Sequence, residues 1–237
     1  SSASAPAPAS PPPAPPRDLA PPRPRCYHRA MSIIAYYAPQ SSATRVLWAL
    51  EELGLPYERV KLDLRAGDQR APEFLAVNPC GKVPALVDDG KPLFESLAIL
   101  IHLGETYGAS RGLWPAAGTQ ERAEALSWSV WGTVTLGGAL WRYFMATATF
   151  VPEAARSPGQ AELAAQEWHA CLRLLDQRLA GRAWIVGGAF SLVDLANASG
   201  IGWGLMMIPT DLAALPNLAA WLARVTDRPA FAAARAA

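Results

Sequence analysis

The hydrophobic pattern that begins after Met31 alternates between strand and helix periodicity. Residues 33–37 form a short apolar run typical of a strand, and apolar residues then recur at helical spacing from Val46 to Leu53. Gly54 follows as a suitable helix stop. Residues 57–64 alternate as a second strand, so the pattern predicts a βαβ unit.

A hairpin and a further helix follow this unit. Residues 72–77 predict a short helix, and the Val83-Pro84 step leads into another apolar run. Asp89-Gly90 supplies a tight turn, and Ser96 stands where an N-cap would open an apolar helix. The complete order is βαβ followed by ββα, which predicts an α/β domain with one mixed sheet.

The second half of the chain has a different pattern. Residues 108–118 contain three glycines and a proline, which indicates a linker. Beyond it no segment alternates in the manner of a strand, and helical spacing dominates. Residues 157–160 and 191–194 both have the form of capping boxes that open amphipathic helices. We therefore expect an all-α helical domain after the α/β domain.

Residues 1–30 differ in composition from the rest. They hold ten of the 22 prolines and bury too little apolar surface to offset their ordering entropy, so we expect disorder with polyproline II character. A transit peptide fits less well, because the prolines disfavour an amphipathic helix. This extension carries +3 while the whole chain carries +1, which leaves −2 on the other 207 residues. That charge argues against a nucleic-acid or membrane-surface binder.

The cysteines and histidines suggest no catalytic or metal centre of their own. Cys26, Cys80 and Cys171 have neither disulfide nor metal-ligand spacing, so we expect no metal and a reducing, cytoplasmic location. His102 and His169 lie in apolar helical patterns, where a lone histidine is more often a packed residue than a base. No apolar run is long enough to span a bilayer.

Two features carry candidate chemistry. Ser41 and Ser42 stand at the start of the first predicted helix, where hydroxyl residues are more often caps than catalytic groups. Val83-Pro84 is the other feature. If this peptide bond is cis, the backbone of Val83 is exposed and can pair in strand fashion with a small peptide.

This order of elements resembles that of the glutathione transferases, from about Ser32 to the C-terminus. The resemblance rests on the Val-Pro step, on Glu95-Ser96 at a helix start, and on the box at residues 191–194, which is similar to a folding element of that family. It implies a thioredoxin-like, glutathione-binding domain over residues 31–110 and an all-helical domain over residues 118–237. It also implies glutathione as a co-substrate and a homodimer.

The resemblance further implies a serine-type site. In many such members the working serine stands four residues before the arginine of an Arg-Val-Leu-Trp helix, which occurs here at residues 45–48 and points to Ser41. Ser42 is the reserve candidate. The expected role is a hydrogen bond to the glutathione thiolate, which then attacks an electrophilic carbon. Relatives that reduce disulfides place a cysteine in this loop, and this chain has none there.

The same resemblance assigns the polar ends of glutathione. Glu95 is expected to bind the γ-glutamyl ammonium, and Ser96 with the helix start to bind the adjacent carboxylate. Lys82 is expected to pair with the glycine carboxylate, with Gln69 or Arg70 assisting. Taken singly, each of these residues is more often surface charge or a cap.

The second substrate is expected on the face that the helical domain turns toward Ser41. For most of the candidate residues a plain core role is the better interpretation. The candidates are Trp131, Trp141, Tyr143 and Phe144, with Met206 and Met207 as further members.

We therefore expect a cytoplasmic glutathione transferase that conjugates small hydrophobic electrophiles. One alternative is a glutathione-dependent isomerase or peroxidase, since Ser41-Ser42 is similar to the double serine of the isomerase class, although Ala43 departs from the cysteine that usually follows. Another alternative is a non-enzymatic ligand carrier or interaction protein that keeps the fold without turnover.

Overall fold

One mixed sheet organises the first part of the chain. The computed structural model describes residues 32–236, so the expectation for residues 1–30 lies outside the described part. The strands are β1 Ile33–Tyr37, β2 Glu58–Lys61, β3 Ala85–Asp88 and β4 Lys91–Phe94. Their order is β2-β1-β3-β4, with β1 and β2 parallel and the other neighbours antiparallel.

Helices, joined by loops and short 3-10 or π-helical segments, cover the sheet and form the second part of the described chain. They are α1 Ala43–Leu53, α2 Pro72–Leu75, α3 Ser96–Leu103, α4 Gln120–Val130, α5 Gly137–Thr147, α6 Pro158–Leu179, α7 Leu192–Met207, α8 Pro216–Thr226 and α9 Pro229–Arg235. The predicted βαβ-ββα order, followed by helices alone, is confirmed. None of the helices in residues 32–236 is both long and apolar enough to cross a bilayer.

Strand β1 shows the alternation expected of a strand with a helix on one face. Ile33, Ala35 and Tyr37 are buried, while Tyr36 is partly exposed and packs on Phe74 with ring centroids 5.4 Å apart. Both tyrosines therefore have packing roles.

The β3–β4 hairpin has the turn that its sequence predicts. Asp89 (φ 48°) and Gly90 (φ 80°) both adopt left-handed conformations, as a two-residue hairpin turn requires. Pro92 lies in β4, where its missing N–H does no harm because β4 is an edge strand.

The start of α3 corrects one prediction. The N-cap is Glu95, with φ 66° and ψ 114°, and Ser96 is the first helical residue. The expectation of Ser96 as the N-cap was wrong by one position, because the chain leaves β4 through a left-handed residue and enters the helix one residue earlier. A π-helical segment, Gly104–Gly108, continues α3.

Side-chain caps open the helical part. Thr119 accepts a hydrogen bond from the Arg122 N–H (3.2 Å) at the start of α4. Ser191 and Asp194 form the predicted capping box of α7, in which the Asp194 carboxylate accepts from the Ser191 N–H at 3.0 Å. A π-helical segment, Trp131–Leu136, joins α4 to α5.

Helix α1 belongs to both parts of the fold. It packs against α3 beneath the sheet and against α7 and α9 of the helical part. Trp48 of α1 is fully buried against Phe231 of α9, with ring centroids 4.6 Å apart. Glu52 accepts two hydrogen bonds from the Arg228 guanidinium, at 2.7 and 2.6 Å. The hydrophobic core is therefore continuous through α1.

Candidate functional site

Strand pairing brings three distant segments to one end of the sheet, which we name the site end. Tyr36 pairs with Ala85, and Ala85 pairs with Phe94. The turn that follows β1, the Val83-Pro84 step that precedes β3, and the Glu95-Ser96 step that follows β4 therefore lie side by side. Candidate residues of the sequence analysis that are spread over residues 41–96 therefore converge there.

Ser41 is held in the turn between β1 and α1. Its Oγ donates to the Ala38 carbonyl oxygen at 2.6 Å and accepts from the Ala43 N–H at 3.2 Å. The residue before it, Gln40, has a left-handed φ of 56°, which closes the turn. Ser41 therefore stabilises the first turn of α1 and is only partly exposed.

Ser42 differs from Ser41 in its surroundings. It occupies the N-cap position of α1, it is exposed, and its side chain makes no capping hydrogen bond. The first N–H groups of a helix lack partners within the helix and carry its positive end. Ser42 therefore presents an available hydroxyl beside that positive end.

The Val83-Pro84 peptide bond is cis. Val83 lies outside β3, and its backbone forms no hydrogen bond with another backbone group among the described residues. Buried Asn78 fixes the loop before it: its amide donates to the Lys82 carbonyl oxygen (2.6 Å), and its side-chain oxygen accepts from the Cys80 N–H (3.0 Å). The sequence analysis did not identify Asn78, for which the Asn-Pro dipeptide was the available signal.

Gln69 and Lys82 approach this loop from two sides. The Gln69 amide donates to the Leu64 carbonyl oxygen at 3.2 Å, while its buried Oε1 has no hydrogen-bond partner among the described residues. A Cβ atom on Gly81 would lie 3.0 Å from the Gln69 carbonyl oxygen, so the two segments are in close contact. Lys82 and Arg70 are exposed, and neither forms an ion pair within residues 32–236.

Glu95 has a strained backbone for a residue with a side chain. A φ of 66° is uncommon outside glycine and costs on the order of 1–3 kcal/mol. The hairpin before it and α3 after it hold this conformation, and the Glu95 carbonyl accepts from the Ile99 N–H at 3.0 Å. Exposed Glu95 and the first turn of α3 therefore both lie at the site end.

A cleft of about 510 Å³ opens beside the turn that holds Ser41. Basic and acidic side chains line it, and none of the candidate residues of the sequence analysis is among them. Its lining is Ala38, Pro39, Lys61, Leu62, Asp63, Leu64, Arg65 and Asp68.

The candidate residues for a second substrate separate into two groups. Trp141 and Phe144 contact each other (centroids 5.6 Å apart), and Phe144 also contacts Phe150 (5.4 Å) and Trp203 (5.3 Å). We name these four residues the aromatic patch. Trp141 and Phe150 are 55% and 68% exposed, so packing alone does not account for them.

The remaining candidates of this set have other surroundings. Trp131 and Tyr143 are partly buried against the core, and Trp131 packs on Trp128 with centroids 5.0 Å apart. Met207 also packs on the core, whereas Met206 is 77% exposed. The plain core role fits Trp131, Tyr143 and Met207.

A polar cluster that the sequence analysis did not connect lies at the opposite end of the sheet. Asp88 accepts from the Tyr107 hydroxyl at 2.8 Å and contacts His102 Nε2 at 2.6 Å. Burial and the hydrogen bond to Asp88 raise the pKa of Tyr107 to about 12. This cluster ties the end of α3 to β3. Within residues 32–236, no group of three or more His, Cys, Asp or Glu side chains is placed to bind a metal.

Comparison with known proteins identifies the family. The family model of the glutathione S-transferase N-terminal domain matches residues 31–105, and that of the C-terminal domain matches residues 142–229. Glutathione S-transferase GstB of Escherichia coli is 36% identical over 80% of this chain and 90% of its own length. Disulfide-bond oxidoreductase YfcG of Escherichia coli is 34% identical over 82% and 90%.

A solved structure agrees with these matches. The glutathione S-transferase of a sphingomonad, complexed with glutathione, superposes with a TM-score of 0.73 at 35% identity, over 86% of this chain and 97% of that one. Its fold is the same α/β unit followed by helices. The chain belongs to the glutathione S-transferase family.

Proposed function

We propose that the protein conjugates the thiolate of glutathione to small hydrophobic electrophiles. The observation that supports this most is the convergence, at the site end, of two serines at a helix start with the cis Val83-Pro84 step and the strained Glu95. Conjugation of this kind would serve detoxification.

Deprotonation of the glutathione thiol at neutral pH requires only a modest free energy from the protein. A free thiol has a pKa near ~8.5, so only a few per cent of it is thiolate at neutral pH. Lowering that pKa by about two units requires about 2.7 kcal/mol of differential stabilisation. A hydroxyl hydrogen bond to a charged group contributes about 1.5–3 kcal/mol, and a helix N-terminus about 0.3–1 kcal/mol or more. A serine at the start of α1 and the helix end together contribute about 2–4 kcal/mol, a range that includes this requirement.

Either serine can meet this requirement. Ser42 has the available hydroxyl, whereas Ser41 must turn its hydroxyl away from the Ala38 carbonyl. In the proposed complex the backbone of Val83 pairs with the peptide, and Glu95 binds the γ-glutamyl ammonium. The assigned carboxylate sites are Ser96 with the start of α3, and Lys82 assisted by Gln69 or Arg70.

The test compares Ser41→Ala, Ser42→Ala and the double variant with Ser127→Ala, a control in which an exposed serine on α4 is removed. The readouts are the ultraviolet thiolate band of bound glutathione against pH and the conjugation of chlorodinitrobenzene. Loss of the donating serine should raise the bound thiol's pKa by about one unit or more and lower kcat/KM about 10- to 100-fold. If even the double variant matches the control, the serine assignment is wrong.

Disulfide reduction is the second candidate function, because a 34% identical relative bears the name of a disulfide-bond oxidoreductase. The residues at the start of α1 include no cysteine, so a mixed disulfide with the protein has no obvious site there. Reduction of a small disulfide by glutathione, measured beside conjugation, separates the two functions. Glutathione binding without either turnover would indicate a carrier.

We further propose a cytoplasmic homodimer, in keeping with the family. Sedimentation of the full chain should give about twice the monomer mass of 25.3 kDa. A single monomeric species at micromolar concentration would contradict this proposal.

A further inference from the structure

Arg45 on α1 has an unusual environment for an arginine. Its Nε is buried and has no hydrogen-bond partner, and its guanidinium forms no ion pair, among the residues that the structure describes. Other partly buried arginines are paired: Arg178 with Glu124 and Arg228 with Glu52. Burial lowers the pKa of Arg45 from its ordinary value, yet a guanidinium stays protonated at physiological pH.

Arg45 as a whole is only partly buried, and Nε is the one guanidinium nitrogen that is buried without an acceptor among the described residues. Leaving one buried polar donor unsatisfied costs about 1–3 kcal/mol, and more when the group is charged. The planar guanidinium matches a carboxylate, because two parallel N–H groups can donate to its two oxygens. An incoming anion of that shape would therefore remove the penalty.

Arg45 lies between the thiol end of the site and the aromatic patch. It follows Ser41 by four residues, which is about one helical turn. On its other side it reaches α7, where a Cβ atom on Gly200 would lie 3.9 Å from Arg45 Nη2. Trp203, one turn further along α7, belongs to the aromatic patch through its contact with Phe144.

Glutathione does not require this group. The proposed sites for its two carboxylates, at Ser96 and at Lys82, belong to the sheet side of the site end. Arg45 instead faces the helical part, on which the second substrate would lie. Gly200 presents no side chain to the guanidinium.

We propose that Arg45 binds the carboxylate of an anionic aryl electrophile, whose flat ring lies against the aromatic patch. This inference rests on the proposed conjugation and specifies its substrate class. In the reaction the thiolate sulfur forms a bond to the ring carbon that carries chlorine. The C–Cl bond breaks, chloride leaves with the electron pair, and the thiol proton passes to solvent.

The test uses two electrophiles that differ in charge: neutral chlorodinitrobenzene and chlorodinitrobenzoate, which carries a carboxylate on the same ring. The measured quantity is the ratio of kcat/KM for the benzoate to that for the neutral compound. Arg45→Met should lower this ratio about 10- to 100-fold. Arg45→Lys should lower the ratio less, because lysine keeps the charge but lacks the two parallel N–H donors of the guanidinium. The control Arg173→Met, at an exposed position on α6, should leave the ratio as in the wild type.

Binding measured without turnover separates this inference from the proposed function. Dinitrobenzoate, which has no leaving group, should quench tryptophan fluorescence with about tenfold higher affinity in the wild type than in Arg45→Met. If the wild type conjugates neither compound but still binds dinitrobenzoate more tightly than Arg45→Met does, the proposed conjugation is wrong and the anion site at Arg45 is supported. Urea unfolding reports whether each variant is folded, and Arg45→Lys replaces Arg45→Met if the latter is not.

Two results would overturn the proposal. One is an unchanged ratio together with unchanged dinitrobenzoate affinity in Arg45→Met. The other is an equal loss for both electrophiles that lies in the KM for glutathione, which would assign Arg45 to glutathione instead.

Discussion

Replacement of Asp194 by alanine should strongly destabilise the fold. Asp194 is fully buried at the start of α7, and its carboxylate accepts from the Ile185 N–H (3.0 Å), the Ser191 N–H (3.0 Å) and Trp221 Nε1 (2.9 Å). Alanine leaves all three donors buried without an acceptor.

The magnitude follows from these contacts. Each buried donor left unsatisfied costs about 1–3 kcal/mol, so three cost about 3–9 kcal/mol. Part of this loss is offset, because burial raises the pKa of Asp194 and the substitution also removes a desolvated carboxylate. A net loss of about 3–6 kcal/mol remains, against a total stability of about 5–15 kcal/mol for a typical protein.

Urea unfolding followed by circular dichroism measures the loss. The matched control is Asp211→Ala, which removes an exposed aspartate that caps one backbone N–H (Ala213, 2.9 Å) and should cost about 1 kcal/mol. The loss of stability in Asp194→Asn should lie between those of Asp194→Ala and Asp211→Ala, because the asparagine amide keeps one acceptor oxygen but turns a donor toward Ser191. If Asp194→Ala unfolds within about 1 kcal/mol of the control, the argument from buried donors is refuted.

Three further predictions use the same unfolding measurement. Gly204→Ala should destabilise the fold by about 1–3 kcal/mol, because the added Cβ would lie 2.1 Å from a buried tryptophan ring. Gly202→Ala on the same helix meets nothing within 4 Å and should stabilise the fold by about 0.5–1 kcal/mol. Equal effects of the two substitutions would contradict this steric argument. Since the pKa of Tyr107 is raised to about 12, its stabilisation is complete below pH ~10 and is lost as the pH rises toward 12. The difference in unfolding free energy between the wild type and Tyr107→Phe should therefore shrink in alkaline solution. A difference that does not change with pH would contradict the raised pKa of Tyr107. Arg228→Lys should cost about 1–2 kcal/mol, because lysine cannot make both hydrogen bonds to the buried Glu52 carboxylate on α1. An unchanged stability would show that the second hydrogen bond is unimportant.

Features determined by local chemistry could be predicted from the sequence. Gly54 ends α1 in a left-handed conformation, Asp89-Gly90 forms the hairpin turn, and the box of residues 191–194 opens α7. Each depends on residues within a few positions of one another, so its signal is present in the local sequence. The order of strands and helices followed from the same kind of signal.

Features that depend on tertiary context could not be predicted in this way. The start of α3 was misplaced because the left-handed φ of Glu95 is imposed by the hairpin and the helix on either side. The contact of Asp88 with Tyr107 depends on how the end of α3 lies over the sheet. The sequence could place the two candidate serines at the start of α1, but the hydrogen bond that engages Ser41 and leaves Ser42 without one comes from the geometry of the turn.

Helix α1 explains how the two parts of the molecule can form one site. Its N-terminal end carries the two serines and Arg45, and its C-terminal end is bound to the helical part through Glu52. Eleven residues at about 1.5 Å each make it about 16 Å long, and its middle lies in the core, so it behaves as a rigid element. In the proposed reaction, this rigid helix would keep a thiolate at its N-terminal end in register with a substrate on α5 and α7. Because a misplacement of about 1 Å can cost two orders of magnitude in rate, we expect selection on this site to act on the packing of α1 as strongly as on the serines.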